Sequence, residues 1–255
     1  MLLPARRKAR TSIISILQKH TKYVIIFRMN RKLDFMVCAA AFCSSVYAIV
    51  MYCVFYGPKT FSFFTTISNI FVPIVMAWRA AELLAKKDEF PSGAYLAAKF
   101  VTAIAVTVTF LVYLVVLAPT NKNGFFGAYK TFHCASLCAH VISPLLTVSH
   151  FFVFDQKTVQ KNLLVICALA YPAFYCLLAF GLGPIFGLRW NDGKIRVPYN
   201  FLNYEAPCGW FGFELGHMDS TTIGVGVAYV ILVLVLLFLG VGFFLWRTKT
   251  SAIKR

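Results

Sequence analysis

Long apolar runs alternate with short polar segments along most of the chain. Six runs follow a basic stretch at residues 1–33, and each is close to the roughly 20 residues that an α-helix needs to cross a bilayer core. They cover about 34–56, 60–83, 95–118, 130–153, 163–183 and 221–246. The pattern predicts an all-α fold, a polytopic bundle of six transmembrane helices over 34–246, followed by a tail at 247–255.

The first 33 residues follow a different pattern. Ile13, Leu17, Val24 and Phe27 recur among basic residues, which is typical of an amphipathic helix that lies on a membrane surface. Charge interrupts this apolar stretch and no small-residue cleavage site follows it, so we do not expect a cleaved signal peptide. The segment 1–33 is therefore predicted to contain an interfacial helix.

Composition and charge support a membrane location. Hydrophobic residues make up 60% of the chain and charged residues only 13%, about half the charged fraction of a soluble domain. The net charge of +16 resembles that of nucleic-acid-binding proteins, but the basic residues concentrate in the terminal segments and short loops. Eighteen Lys and Arg fall on one side of the predicted bundle and six on the other, with Lys99, just inside the third run, left out. This bias predicts that both termini are cytoplasmic, and we expect membrane lipids rather than nucleic acid as partners.

The longest polar segment after the N-terminus, about 184–220, then lies outside the membrane on the opposite side. It is rich in aromatic and acidic residues, and a connection this long is usually functional. We expect it to form a lid over the outer mouth of the bundle, with Tyr199, Asn200 and Glu205 as part of it.

Polar residues form a stripe along the fourth predicted span. Their spacing of three and four places them on one helical face; they are His133, Ser136, His140, Ser143, Thr147 and His150. Hydrogen bonds between packed helices can account for Ser136, Ser143 and Thr147. His140 lies well inside the span, where a buried imidazole is costly, so it is a candidate functional residue.

The second predicted span carries four polar residues within five positions: Thr65, Thr66, Ser68 and Asn69. Thr65 and Asn69 share a face, and a hydrogen-bonded packing seam is an alternative explanation. Thr65 and His140 both fall in the outer half of the bundle, about 7 Å apart in depth, and Asn69 matches the depth of His140 better. A threonine hydroxyl near an imidazole is the minimal arrangement for nucleophilic catalysis. Asn69 is then a candidate oxyanion donor, with Ser136 and Ser143 as supporting residues.

Strong catalytic and metal motifs are missing from the sequence. Seven of the eight cysteines lie in apolar runs, where a cysteine usually acts as a small buried hydrophobe. There is no CxxC pair, no HExxH helix and no GxSxG elbow. We therefore expect no metal and no cofactor. A zinc site built from His133, His140 and Asp155 is an alternative, although Asp155 falls at the opposite membrane face from His133.

Three segments together resemble the bacterial six-span membrane family known as Pr-six-Pr. The segment from Phe64 to Asn69 is similar to the family's aromatic-Thr-x-x-Ser-Asn motif at the start of its second span. His140 to Pro144, with Phe154 and Asp155 following, is similar to its His-x-x-x-Pro and Phe-Asp motifs. Val197 to Asn203 is similar to its outer-loop Tyr-Pro-Phe-Leu-Asn motif, with Asn200 where proline is usual. The long basic N-terminus is a second departure from the family pattern.

The resemblance implies a bacterial cytoplasmic-membrane protein, distantly related to the family of the androgen-induced and androgen-dependent TFPI-regulating proteins. Those relatives are threonine hydrolases that cleave fatty-acid esters of hydroxy fatty acids with one Thr and one His. By position these match Thr65 as nucleophile and His140 as base, with Thr66 as an alternative nucleophile. Shared architecture alone does not carry activity. A non-enzymatic carrier or scaffold that binds lipid or a small apolar molecule is therefore the alternative function.

Overall fold

The computed structural model describes residues 31–85, 92–119, 124–155, 157–214, 216, 219 and 221–253. Six helices in this part of the chain are long and apolar enough to cross a membrane. We number them spans 1 to 6: Arg31–Ser62, Phe64–Leu84, Gly93–Val115, Ala135–Val153, Lys161–Phe186 and Val227–Ser251. These described residues form no β-strand, so the predicted all-α, six-span fold is confirmed. The predicted interfacial helix at 13–27 lies outside the described residues.

The two ends of the bundle differ in the segments that they carry. The long connection 187–226 joins spans 5 and 6 at one end, which we call the loop end. At this end the Lys59 side chain donates a hydrogen bond to the Arg189 carbonyl (3.1 Å). The opposite end, which we call the terminal end, holds the start of span 1 and the end of span 6. There Lys249 donates to the Phe152 carbonyl (2.9 Å).

A sharp turn separates spans 1 and 2 and places Thr65 at a helix start. Gly57 adopts φ +61°, a left-handed conformation that glycine tolerates best, and a 3₁₀ turn, Gly57–Ser62, follows with proline at its start. Phe63 is extended, and span 2 begins at Phe64. Thr65 is therefore the second residue of span 2, close to the positive end of its helix dipole.

Span 3 is the most buried helix and forms the centre of the bundle. Its apolar residues pack against spans 2, 4, 5 and 6, and Phe100, Ala103 and Ile104 are almost fully buried. A Cβ atom added at Gly242 of span 6 would lie 3.2 Å from Ile104 and 3.1 Å from Ala168 of span 5. The absence of a side chain at Gly242 therefore lets spans 3, 5 and 6 pack closely together.

Span 4 begins later than the apolar pattern predicts and is irregular. Phe132, His133 and Cys134 all adopt left-handed φ values, 54°, 53° and 65°, and they separate a short helix, Gly124–Lys130, from Ala135. The first part of the span contains a π-helical turn, Cys138–Ile142, before regular α-helix resumes at Ser143. His133 therefore lies in a turn outside span 4, and the predicted stripe does not extend to it.

The other span boundaries follow the sequence pattern with two larger differences. Span 1, predicted to end near 56, continues through the 3₁₀ turn to Ser62. Span 6 begins at Val227 rather than near 221, and its helix continues to Ile253, through much of the segment predicted as a tail. Within the extension the Lys249 side chain reaches back to a backbone carbonyl, and its apolar stem can lie along the bundle.

The connection 187–226 is folded onto the loop end. Its residues Val197, Leu202 and Cys208 are buried, and the Trp190 indole donates to the Ser62 hydroxyl (2.9 Å). Span 5 approaches it closely, because a Cβ atom added at Gly183 would overlap the carbonyl oxygen of Arg196. The loop is thus fastened to both span 5 and the junction of spans 1 and 2.

Candidate functional site

A cavity of about 260 Å³ lies between spans 2 to 6 toward the loop end. Most of its wall is apolar, and it includes Val108, Val112, Leu169, Pro172, Val235 and Phe238. Its polar side chains include those of Thr65, Thr109, His140 and Tyr199. No Asp, Glu, Lys or Arg is among the described residues that line it. The cavity therefore suits an apolar ligand that carries one weakly polar group.

Thr65 reaches the cavity from the first turn of span 2. Its side chain is half-buried, and its carbonyl accepts hydrogen bonds from Ser68 and from Asn69, each at 2.9 Å. The first N–H groups of an α-helix have no partner within the helix, and Phe63 provides no side-chain cap here. The hydroxyl of Thr65 thus lies next to backbone donors at the positive end of a helix dipole.

His140 reaches the same cavity from the π-helical turn of span 4. It is 5% exposed, and its Nδ1 atom is buried without a hydrogen-bond partner among the described residues. Its ring stacks on that of Tyr113, with centroids 3.6 Å apart and planes inclined by 13°. The Tyr113 hydroxyl is itself held by Ser136 (2.6 Å) and by the Ala128 carbonyl (2.8 Å). Ser136 therefore supports His140 indirectly, through the tyrosine.

The structure brings Thr65 and His140 to one cavity but does not join them. No hydrogen bond between the two side chains is present in the described part of the chain. The predicted difference in depth is consistent with this separation. Hydrogen bonds of catalytic groups often form only when substrate is bound, so the arrangement remains compatible with a nucleophile and its base.

Thr66 and Asn69 do not line the cavity. Thr66 is 1% exposed, its hydroxyl contacts that of Thr60 at 3.2 Å, and it does not line the cavity. The Asn69 amide nitrogen donates to the carbonyls of Thr65 (2.9 Å) and Ala139 (3.1 Å). Because both amide hydrogens are engaged in this way, Asn69 joins spans 2 and 4 and has none left for an oxyanion. Its contact with Ala139 agrees with the predicted depth match to His140.

Ser143 lies outside the cavity lining as well. It is fully buried, and its hydroxyl has no hydrogen-bond partner among the described residues. Its carbonyl accepts a hydrogen bond from the Thr147 hydroxyl at 2.7 Å, one turn along span 4. These two residues of the predicted stripe therefore bond within their own helix, and only His140 of the stripe lines the cavity.

The loop supplies Tyr199 to the cavity wall. Its hydroxyl accepts a hydrogen bond from the Phe64 N–H (3.1 Å) and lies beside the Thr65 side chain. Burial raises the pKa of Tyr199 to about 12, although the hydrogen bonds with Phe64 and Thr65 act in the opposite direction. Tyr199 is therefore neutral at physiological pH and caps the start of span 2.

The other two predicted lid residues occupy the loop surface. The Asn200 amide donates to the Asp219 carbonyl at 3.4 Å. Glu205 forms an exposed ion pair with Arg196 at 3.2 Å. Both contacts lie within the loop, so these residues shape it without reaching the cavity.

A second polar cluster, which the sequence pattern does not reveal, lies at the terminal end. Asp34 and Cys38 of span 1 meet His150 of span 4, and all three are at most 3% exposed. Arg79 pairs with Asp34 at 2.8 Å. The sequence signals are His150, as a member of the stripe on the fourth span, and Asp34 at the very edge of the first apolar run, four residues before Cys38.

The residues of the alternative zinc site do not converge. His133 lies at the loop end, where its carbonyl accepts a hydrogen bond from Tyr47 and its ring lies near that of Phe55. Asp155 lies at the terminal end, 4.0 Å from His150. The structure therefore gives no support to a metal site made of His133, His140 and Asp155.

Comparison of the chain with protein-family models, with curated proteins and with solved structures finds no match. The resemblance to the Pr-six-Pr family therefore stays a prediction. The chain is, by its structure, an integral membrane protein with six apolar helices.

Proposed function

We propose that this membrane protein hydrolyses lipid esters within the bilayer, with Thr65 as nucleophile and His140 as base. The observation that supports this most is that the two side chains, from different spans, line one apolar cavity. An ester with a long acyl chain matches such a cavity, because the chain is apolar and the ester group alone needs polar contacts. Membrane lipids supply substrates of this kind.

In the proposed reaction His140 accepts the proton of the Thr65 hydroxyl, and the Thr65 oxygen attacks the carbonyl carbon of the ester. The resulting tetrahedral intermediate breaks its bond to the alcohol oxygen, which leaves with the proton from His140. The acyl group then remains on the Thr65 oxygen as an ester. His140 deprotonates a water molecule, which attacks this ester. The fatty acid is released and the Thr65 oxygen takes the proton back from His140. Such base catalysis typically contributes about 10²- to 10⁴-fold in rate.

The start of span 2 is the proposed oxyanion site. N–H groups at a helix N-terminus stabilise negative charge, and Thr65 and Thr66 occupy the first helical turn. The neutral hydroxyl of Tyr199 lies beside Thr65 and is a further donor. Donors of this type commonly contribute about 3–4 kcal/mol each to transition-state stabilisation.

The test is hydrolysis of long-chain esters by the full chain in nanodiscs. Thr65→Ala and His140→Ala should each reduce kcat by about 100-fold or more. Thr66→Ala is the matched control, because its hydroxyl contacts Thr60 and not the cavity; it should retain activity. Thr65→Ser should restore part of the activity by returning a hydroxyl.

Loss of activity in Thr66→Ala alone would move the nucleophile to that residue. Absence of turnover on every acyl ester, together with no labelling by a hydroxyl-directed phosphonate, would contradict the enzymatic proposal. Copurified lipid in the same preparation would then favour a carrier. The apolar wall and the unpaired Nδ1 atom of His140 are equally compatible with that second function.

A further inference from the structure

Three side chains of different chemistry converge at the terminal end of spans 1 and 4. The Nε2 atom of His150 lies 2.8 Å from Oδ1 of Asp34 and 3.1 Å from Sγ of Cys38. The Cys38 sulfur lies 3.7 Å from the same Asp34 oxygen. One nitrogen, one sulfur and one carboxylate oxygen therefore lie within 4.8 Å of one another. This is a set of atoms that commonly binds transition metals.

The three residues are placed by regular helix and are enclosed. Asp34 and Cys38 are four residues apart on span 1, so they share one face, and this face meets His150 near the end of span 4. Their exposed fractions are 3%, 1% and 0%. A buried thiol beside an imidazole and a carboxylate goes beyond what packing of a small hydrophobe requires.

Neighbouring groups contact two of the three residues, Asp34 and His150. Both hydrogen bonds from Arg79 go to Oδ2 of Asp34 (2.8 and 3.2 Å), which leaves Oδ1 turned toward Cys38 and His150. On the other side of the imidazole, Nδ1 of His150 lies 4.0 Å from Oδ2 of Asp155. Both of those atoms are buried without a hydrogen-bond partner among the described residues. Tyr95 holds Asp155 through its other oxygen at 3.2 Å.

A carboxylate facing the second ring nitrogen is the usual environment of a metal-binding histidine. It fixes the tautomer in which Nδ1 carries the hydrogen and Nε2 is free to bind a metal. The unpaired His150 Nδ1 and Asp155 Oδ2 atoms are placed to form this contact once Nε2 gives up its hydrogen. They are therefore a second observation, independent of the three converging atoms.

We propose that Asp34, Cys38 and His150 bind one zinc-class divalent ion that joins spans 1 and 4. Bonds of about 2.0–2.3 Å in a tetrahedron separate ligand atoms by about 3.3–3.6 Å. The observed separations of 2.8, 3.1 and 3.7 Å need changes of about half an ångström. The fourth ligand is a solvent oxygen.

Metal binding changes the position of two protons, one on Cys38 and one on His150. Cys38 binds as a thiolate and releases its proton to solvent. The imidazole hydrogen moves from Nε2, where it bonds Asp34, to Nδ1, where it faces Asp155, so His150 neither gains nor loses a proton. Binding of one ion therefore releases about one proton.

Two basic side chains lie near the site, one partly buried (Arg79) and one fully buried (Lys99). The Arg79 guanidinium pairs with Asp34 at 2.8 Å, and Lys99 is fully buried with its amine 3.3 Å from the Met76 sulfur. A divalent ion with one thiolate adds a net charge of one. Lys99→Met should consequently tighten metal binding, by roughly tenfold or more for a neighbouring unit charge.

The experiment measures metal in the full chain purified in detergent and dialysed against zinc. We expect about one zinc per chain, and with cobalt a thiolate-to-metal absorption band. Cys38→Ala should lose both signals. Cys167→Ala is the matched control, since Cys167 is also a buried span cysteine but lies in span 5, and it should keep both.

The proposal would be overturned if the folded wild-type chain bound neither zinc nor cobalt and was stabilised by neither ion. Equal metal content in Cys38→Ala and Cys167→Ala would also overturn it. Where Cys38→Ala does not fold, zinc should slow the reaction of Cys38 with a small maleimide in the wild type. Unchanged labelling would then count against the site. None of these readouts depends on ester hydrolysis.

Discussion

The ring of His140 lies flat against that of Tyr113, with centroids 3.6 Å apart. Each residue belongs to a π-helical turn, Tyr113–Leu117 in the third span and Cys138–Ile142 in the fourth. Turns of this kind are rare and frequently occur at functional sites. The stack fixes the imidazole plane in a cavity where no carboxylate of the described residues is available to orient it.

Replacement of Tyr113 separates the role of its ring from that of its hydroxyl. Tyr113→Phe keeps the stack and loses the hydrogen bonds to Ser136 and Ala128, so we expect a stability loss of about 1–2 kcal/mol with His140 still enclosed. Tyr113→Leu removes the stack and should reduce the proposed ester hydrolysis by about tenfold. Carbethoxylation of His140, followed by mass spectrometry, should be faster in Tyr113→Leu only. Equal rates in both variants would mean that the ring does not hold the imidazole.

Tyr199→Phe tests the contact between the loop and span 2. Without its hydroxyl the Phe64 N–H loses its partner, which should lower the free energy of unfolding by about 1–3 kcal/mol at neutral pH. The folded-state pKa of about 12 exceeds the unfolded value of about 10. The stabilising contribution of Tyr199 is therefore complete below pH 10 and is lost as pH rises toward 12. The difference between wild type and variant should shrink over that interval in unfolding measured in detergent. A difference that stayed constant over this pH interval would contradict the burial of the Tyr199 phenol.

Gly183 allows span 5 and the loop to approach each other. Gly183→Ala places a methyl group against the Arg196 carbonyl, so we expect a loss of about 1–3 kcal/mol and greater proteolysis of the loop. Gly181→Ala in the same helix meets only the tip of Ile185 at 3.5 Å and should be neutral or stabilising. Similar melting temperatures for the two variants would show that the close approach is not required.

The basic residues predict an orientation that a fusion experiment can test. Reporters placed after Thr120 and after Asn203 should signal the outer side, and a reporter at the C-terminus the cytoplasm, because of the 18-to-6 bias of Lys and Arg. Reversed signals would place the loop end, and with it the cavity, on the cytoplasmic side.

Periodicity and run length are sufficient to predict the six spans and to mark Thr65 and His140 as candidate residues, which line one cavity in the structure. The spans and the two candidate residues can be recognised from local sequence, because a polar residue inside an apolar run stands out in a membrane helix. The Asp34–Cys38–His150 cluster could not be predicted in this way. It joins residues more than 100 positions apart, and Asp34 falls at the edge of its run, where a charge is unremarkable. The left-handed residues at 132–134 are also invisible, because none of them is glycine.

The π-helical turn at 138–142 also has a consequence for how this chain is compared with others. A π-helical turn contains one residue more than the α-helical turn that it replaces, so the helical faces before and after it differ by about 100°. Deletion of one residue there would restore the α-helical register and rotate Ser136 relative to Thr147. A related bundle without this turn would align correctly only with a one-residue gap inside the membrane. Alignments that forbid gaps within spans would pair His140 with the wrong position.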